Sequence, residues 1–315
     1  MVDPREEFVA RIDLSKSRVR AFEGFVFLCG GPRAKDPVPI ISIRHMIYHE
    51  LTSGRHGDIV GRLKTAEDIQ DWFRDGNYRD LLTFEEHLAG LSAVIVLVVE
   101  SPGAIAELGV FSVSQAFSDR LLVLVAELHY AAESFIRLGP LQRLENASEK
   151  SVLVYDWHDI SISGKASERF DKVAGEMAGI VAAIKDFISP SDSERIFKLG
   201  EPAHTMFLIC ELCDLFGALN QTEVHDYLRA LGIELDAEDV LRYTFLLQKC
   251  DLLGMKPKGH GRYFHAINWS SRISFGFIPG RAMDRDRVRV EVAQFYEKEI
   301  KTRSEVIKKI GRGVG

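Results

Sequence analysis

The sequence predicts two architectures in one chain: an α/β part, a parallel sheet with helices on both faces, then a mainly α, winged-helix-like C-terminal part. Three observations predict this. Strand-length runs such as FVFLC, SAVIVLVV and LLVLV are apolar throughout instead of alternating, which suits strands buried on both faces. Helix-patterned segments separate them, as parallel strands require. Near residue 158 that rhythm gives way to closely spaced helices.

GFVFLCGGP (24–32) reads as a first strand ending in a Gly-Gly-Pro turn, and IISIRHMIYHELTS (40–53) as a crossover helix. DIVGRLK (58–64) fits a short second strand, and TAEDIQDWFRD (65–75) a helix opened by Thr65 with Asp68 three residues on. LTFEEHLAGL (82–91) is helical, SAVIVLVVE (92–100) a buried strand, and PGAIAELGVFSVSQAF (102–117) the next helix. LLVLVAE (121–127) and SVLVYDW (151–157) are further strands, with SFIRLGPLQRL between them. ASERFDKVAGEMAGIVAAIKDFI (166–188) is helical, and SPSDSE (189–194) has linker composition. Three helices follow, the second opened by Asn220 and the third by Asp236, and then a Lys/Gly-rich turn with an aromatic segment. That order resembles a winged helix-turn-helix module, and a plain helical dimerisation domain fits the same pattern. The expected division is a catalytic domain at 1–160, a helical connector at 161–194, and a winged-helix-like domain with a basic C-terminal helix at 195–315.

Charge is unevenly spread over the 315 residues. Residues 1–255 carry 26 Lys+Arg against 40 Asp+Glu, whereas residues 256–315 carry 14 against 6. A basic end on an acidic body suits a polyanionic partner there. MVDPREEFVARIDLSKSR lacks the apolar centre of a secretory signal, and no run reaches the length of a membrane span, so a cytoplasmic protein without membrane contact is expected. The cysteines, Cys29, Cys210, Cys213 and Cys250, suggest no disulfide framework. Cys210 and Cys213 form a C-x-x-C inside FLICELCDLF, but no second ligand pair accompanies them, which favours core thiols over zinc.

Ligands of open parallel sheets sit beyond the carboxyl ends of the strands. Two turns have suitable composition there. Gly30-Gly31 lets the backbone approach a ligand closely. Ser101-Pro102-Gly103 ends a central strand and opens a helix whose N-terminus favours an anion. Glu107 lies about one turn inside that helix, among small and apolar neighbours. A carboxylate there can attack the anomeric carbon of a ribosyl group, or stabilise its oxocarbenium character. The same spacing also fits a glutamate that caps the helix or pairs with a nearby arginine.

His45 and His49 have the spacing of a zinc-protease helix, but Met46 stands where its glutamate belongs, so no metal site is expected. His260 and His265 flank an aromatic turn and read as wing surface. Tyr263, Phe264 and Trp269 could stack on bases or form the packed face of a hairpin.

FVFLCGGP, LTFEEHLAGLSAVIVLVVESPGAIAELGVFS and SFIRLGPLQRL, in that order, resemble the N-glycosidase-type effectors of bacterial retrons. These belong to a wider group resembling nucleoside 2-deoxyribosyltransferases. The resemblance implies that Glu107 is the nucleophile, and it puts a second acid at Glu85, with Glu86 beside it, as a ribose-hydroxyl or water partner. Deoxyribosyltransferases usually carry an aspartate where this chain has Ser101 beside Glu100, a departure that speaks against nucleoside transfer. By resemblance the protein is an antiphage toxin, restrained by a reverse transcriptase and its multicopy single-stranded DNA with attached RNA. Once released, it would hydrolyse the nicotinamide–ribose bond of NAD. NAD is then the substrate, no cofactor is needed, and a homo-oligomer or larger complex is expected. Candidate phosphate contacts are Lys256, Lys258, Arg262, Arg285, Arg287 and Arg289, although the three arginines of DRDRVRVE also suit a face that pairs its own charges. The alternatives are a nucleoside or nucleotide deoxyribosyl hydrolase or transferase, and a non-enzymatic nucleic-acid-binding adaptor.

Overall fold

The computed structural model describes residues 2–20, 22–69, 78–157, 170–188, 194–267 and 269–311. The chain opens with α1 (Pro4–Val9) and β1 (Arg18–Val19). It continues through β2 (Phe25–Cys29), α2 (Ile43–Thr52), β3 (Leu63–Lys64), α3 (Leu81–Gly90), β4 (Ser92–Val99) and α4 (Pro102–Phe111). β5 (Leu121–Ala126), β6 (Val152–Tyr155) and α5 (Met177–Ile188) follow. Then come β7 (Arg195–Ile196), α6 (Pro202–Leu215), α7 (Gln221–Ala230), α8 (Ala237–Lys249), β8 (Leu253–Lys258), β9 (Gly261–Ala266), β10 (Ile273–Ser274), α9 (Arg285–Glu299) and α10 (Lys301–Gly311).

Contacts divide the chain into two compact units: residues 22–71 with 81–190, and residues 1–21 with 72–80 and 191–315. The first holds a five-stranded parallel sheet of order β3-β2-β4-β5-β6. Successive side chains of a strand point to opposite faces, so a strand apolar at every position buries both. On one face Val26, Leu28, Val94, Val96, Val98, Leu122 and Leu124 meet Ile43, Ile47 and Leu51 of α2 and Ile180, Ile184 and Ile188 of α5. Each such side chain contributes about 1.5–3 kcal/mol. The alternate residues, among them Phe27, Ile95, Leu97 and Val123, are equally buried, and α3 and α4 contact β4.

Four expectations are corrected. Residues 166–188 were expected in a connector, but their described part packs on the sheet, because Ile180, Ile184 and Ile188 recur at helical spacing. The first twenty residues belong to the other unit, where Arg5 of α1 bonds to Glu223 (2.6 Å) and to the Tyr296 hydroxyl (3.2 Å). Of the expected strand 58–64 only Leu63–Lys64 is extended, and Gly57–Val60 makes one helical turn that buries Ile59. The expected helix at 102–117 also breaks after Phe111, where the Ser112 hydroxyl donates back to the Gly109 carbonyl. The end of the helix expected at 65–75 and most of the linker at 189–194 lie outside the described residues.

In the second unit, α6, α7, α8 and the antiparallel β8–β9 hairpin follow one another as the sequence suggested. Asn220 and Glu223 form a reciprocal capping box on α7, and Asp236 caps α8. Glu211 of α6 is fully buried and accepts from the Trp269 indole, the Ser271 hydroxyl and the Arg272 amide, with Arg285 as its ion partner. Cys210 and Cys213 are buried free thiols. Among the described residues no helix is long and apolar enough to cross a membrane.

Candidate active site

The order β3-β2-β4-β5-β6 reverses direction between β2 and β4. At such a switch point the connections leave to opposite faces and open a crevice at the carboxyl ends of the two strands. Both turns singled out in the sequence lie at this place. Gly30 follows β2 with φ +138°, and a Cβ there would fall 2.7 Å from the Val98 carbonyl. At Gly31 a Cβ would meet the Glu100 carboxylate at 2.7 Å. Glu100, the residue after β4, accepts from the amides of Ile43 (2.7 Å), Arg44 (2.8 Å) and Gly31 (3.3 Å). The protein's own carboxylate thus fills the N-terminus of α2 and ties β4 to the Gly-Gly turn.

Ser101 caps α4, accepting from the Ala104 amide at 3.2 Å, and Pro102 takes the first helical position. Ala104, Leu108 and Phe111 face the sheet. Helical periodicity then puts Glu107 on the β2 flank of α4, one turn below Gly103. The stem of Glu107 is half-exposed, but its Oε2 is buried and makes no hydrogen bond within the protein. Burial raises its pKa above the ordinary carboxylate value; Arg44 pulls it back and Glu67 adds to the rise. Glu85, from α3, is 5% exposed, and burial together with the charge of Glu107 pushes it up to about 8. At neutral pH the pair therefore combines a protonated Glu85 with a Glu107 that ionises more readily.

Arg44 completes the crevice. It is buried and donates to the Leu28 carbonyl (3.1 Å), the Gly31 carbonyl (3.0 Å) and both oxygens of Glu67 (2.7 and 2.6 Å). Although burial alone would raise Glu67, these bonds hold it down at about 2. Neither Arg44 nor Glu67 was singled out in the sequence. Local spacing carries no signal for either: Arg44 shares α2 with His45, His49 and Glu50, and its partner Glu67 lies 23 residues further on.

A separate cleft lies on the opposite, β5 flank of α4, lined by Ser101, Pro102, Ile105, Leu128, His129 and Trp157 among others. Glu107 does not line it.

The candidate phosphate contacts separate into two sets. Lys256 and Arg262 are exposed on the β8–β9 hairpin, while Lys258 pairs with Glu305 at 2.6 Å. Arg285 pairs with Glu211, Arg287 with Glu291 (2.8 Å), and Arg289 with Asp214 and Asp286. His45 accepts from or donates to backbone through both ring nitrogens, at the Ile41 amide and the Asp36 carbonyl. Among the described residues no group of three or more His, Cys, Asp or Glu side chains is arranged to hold a metal ion.

The family model for the STM3845 retron effector protein matches residues 40–255. A relative from Escherichia coli, described as "Retron Ec86 putative ribosyltransferase/DNA-binding protein", is 34% identical over 129 residues. That stretch is 41% of this chain and 39% of the relative, so the match spans well under half of either protein.

Proposed function

The chain belongs to the STM3845 retron effector protein family, and on that premise we propose that its parallel-sheet unit is an N-glycosidase that hydrolyses the nicotinamide–ribose bond of NAD. One observation carries the proposal: at the switch-point crevice a carboxylate oxygen of Glu107 is buried without a hydrogen-bond partner. The arginine that could have neutralised Glu107 is committed to Glu67. A buried acceptor left unsatisfied costs about 1–3 kcal/mol, a cost offset when substrate supplies the partner.

The chemistry follows from the two carboxyl groups. Ionised Glu107 approaches C1′ of the nicotinamide ribose and either forms an ester or stabilises the oxocarbenium ion. As the C1′–N bond breaks, its electron pair passes to the pyridinium nitrogen, so nicotinamide departs neutral and takes no proton. Water then attacks C1′, Glu107 leaves as carboxylate, and the proton goes to solvent. Protonated Glu85 donates to a ribose hydroxyl oxygen and reduces repulsion beside Glu107. In the family setting the effector is a toxin restrained by a reverse transcriptase and its multicopy single-stranded DNA. The nucleic-acid contact is assigned to the hairpin lysine and arginine, Lys256 and Arg262.

A second reading, deoxyribosyl hydrolysis or transfer on nucleosides, is favoured by the word ribosyltransferase in the relative's description and by Glu85. A departing purine or pyrimidine takes up a proton, and a carboxylic acid that titrates near 8 can give it. Purified protein, alone and with its reverse transcriptase and DNA, is incubated with NAD and with deoxynucleosides beside Glu107→Gln. Release of nicotinamide and ADP-ribose by wild type, slowed about 100-fold or more in Glu107→Gln, is expected. Intact NAD under every condition overturns the glycohydrolase. Deoxynucleoside cleavage that fades above pH 8 establishes the second reading in its place.

A further inference from the structure

Arg44 and Glu67 belong to no contact required by the chemistry above, yet they make the densest polar arrangement at the crevice. One guanidinium joins three parts of the sheet unit: the last turn of β2 through the Leu28 carbonyl, the Gly30–Gly31 turn through the Gly31 carbonyl, and the short 3₁₀ segment Ala66–Ile69 through Glu67. A planar fork with fixed donors can do this, whereas a lysine cannot hold all four acceptors. The charges are also placed asymmetrically. Arg44 is buried beneath the crevice, while the side chain of Glu67 retains 36% exposure and is better screened by solvent.

We infer that Arg44 and Glu67 form a positioning pair, in which Arg44 fixes the Gly30–Gly31 turn and sets an incompletely cancelled positive charge beneath the crevice on the side of Glu107. This rests on the N-glycosidase reading for its consequence in catalysis, but not for the charge effect itself. The titratable and charged groups coupled electrostatically to Glu107 are Glu85 from α3, Arg44 from α2, Glu67 from the 3₁₀ segment, and Cys29 at the end of β2. Burial holds the Cys29 thiol neutral, so it adds no charge. Glu85 is neutral below about 8. Across the acid range, then, Arg44 and Glu67 are the charges that act on Glu107, and with opposite sign.

The pair makes opposite predictions for its two members. Glu67→Gln removes the offsetting anion and lowers the pH at which Glu107 ionises, whereas Arg44→Gln raises it. In the pH profile of kcat/KM for NAD, the acid limb of Glu67→Gln moves down by about half a pH unit, so its ratio of rates at pH 5 and pH 8 rises about 3-fold over wild type. Arg44→Lys keeps the charge but not the fork: the limb stays near wild type while kcat falls. Glu67 is half-exposed, so Glu67→Gln provides the test even where Arg44→Gln fails to fold. The titration of Glu107 is also read directly, from the difference between carboxyl-labelled wild type and Glu107→Gln in nuclear magnetic resonance spectra. A midpoint that drops in Glu67→Gln supports the pair even if NAD is untouched, a result that would count only against the glycohydrolase. Midpoints and acid limbs that do not move in Glu67→Gln overturn it.

Discussion

Glu85 sits where a carboxylate is hard to keep ionised, buried on α3 and under the influence of a second acid. Its folded-state pKa, about 8, lies above that of an unfolded glutamate, so between those values the native state holds a proton that the unfolded state has released. Stability therefore falls as pH rises through that window, and the loss is complete above 8. Glu85→Gln has no such penalty: its advantage in unfolding free energy over wild type grows from pH 5.5 to pH 9, reaching about 2–4 kcal/mol by denaturant titration. An advantage equal at both pH values would mean that Glu85 titrates normally. Glu107 was legible in the sequence because it stands alone among small and apolar residues, whereas Glu85, next to Glu86 and His87, was reached only through the family resemblance. Arg44 and Glu67 were not legible, since their partnership depends on α2 and the 3₁₀ segment meeting across β2, which no local spacing encodes.

The crevice depends on how its elements are joined. Gly31→Ala puts a Cβ 2.7 Å from Glu100 Oε1. For Glu100 to withdraw, it must release the Ile43 and Arg44 amides that it caps. The substitution is expected to cost about 1–3 kcal/mol, measured as a fall in unfolding free energy, and Gly103→Ala, whose Cβ approaches only the Ser101 hydroxyl at 3.9 Å, should cost less. Ile184→Ala in α5 opens a hole against the sheet and is expected to cost about 2–5 kcal/mol, lost in the same transition that unfolds the sheet. A helix acting only as a connector would not show that coupling. Strand identity was readable because unbroken apolar runs such as SAVIVLVV have one comfortable place, the middle of a covered sheet. The membership of α5 was not, because its isoleucine stripe says that the helix packs without saying on what. DIVGRLK misled because Ile59 and Leu63 are equally well buried by a helical turn as by a strand.

At the scale of the whole chain, the excess of positive charge in residues 256–315 is less available than a count suggests. Arg285, Arg287 and Arg289 are each bound to acids of α6 or α9. The third helix of the helix–helix–helix–hairpin series is no better suited to a phosphate backbone. Its N-terminal turn carries Asp236, Glu238 and Asp239. Its flank is covered by Tyr78, 2% exposed and set against Phe245, and by Arg79, which pairs with Glu238 at 2.7 Å. A helix placed to read a major groove would present the reverse. Nucleic-acid contact by this unit is therefore expected to fall on the hairpin and to follow the phosphate backbone more than base sequence. In fluorescence anisotropy with a labelled single-stranded DNA, Lys256→Glu with Arg262→Glu should weaken binding about 10-fold or more and reduce the slope of log affinity against log salt by about 2. Arg287→Glu with Arg289→Glu changes net charge equally, but its arginines are already neutralised, so the slope should change by less than half as much. If the two double variants lose affinity and slope alike, binding responds to total charge and the hairpin has no special part in it.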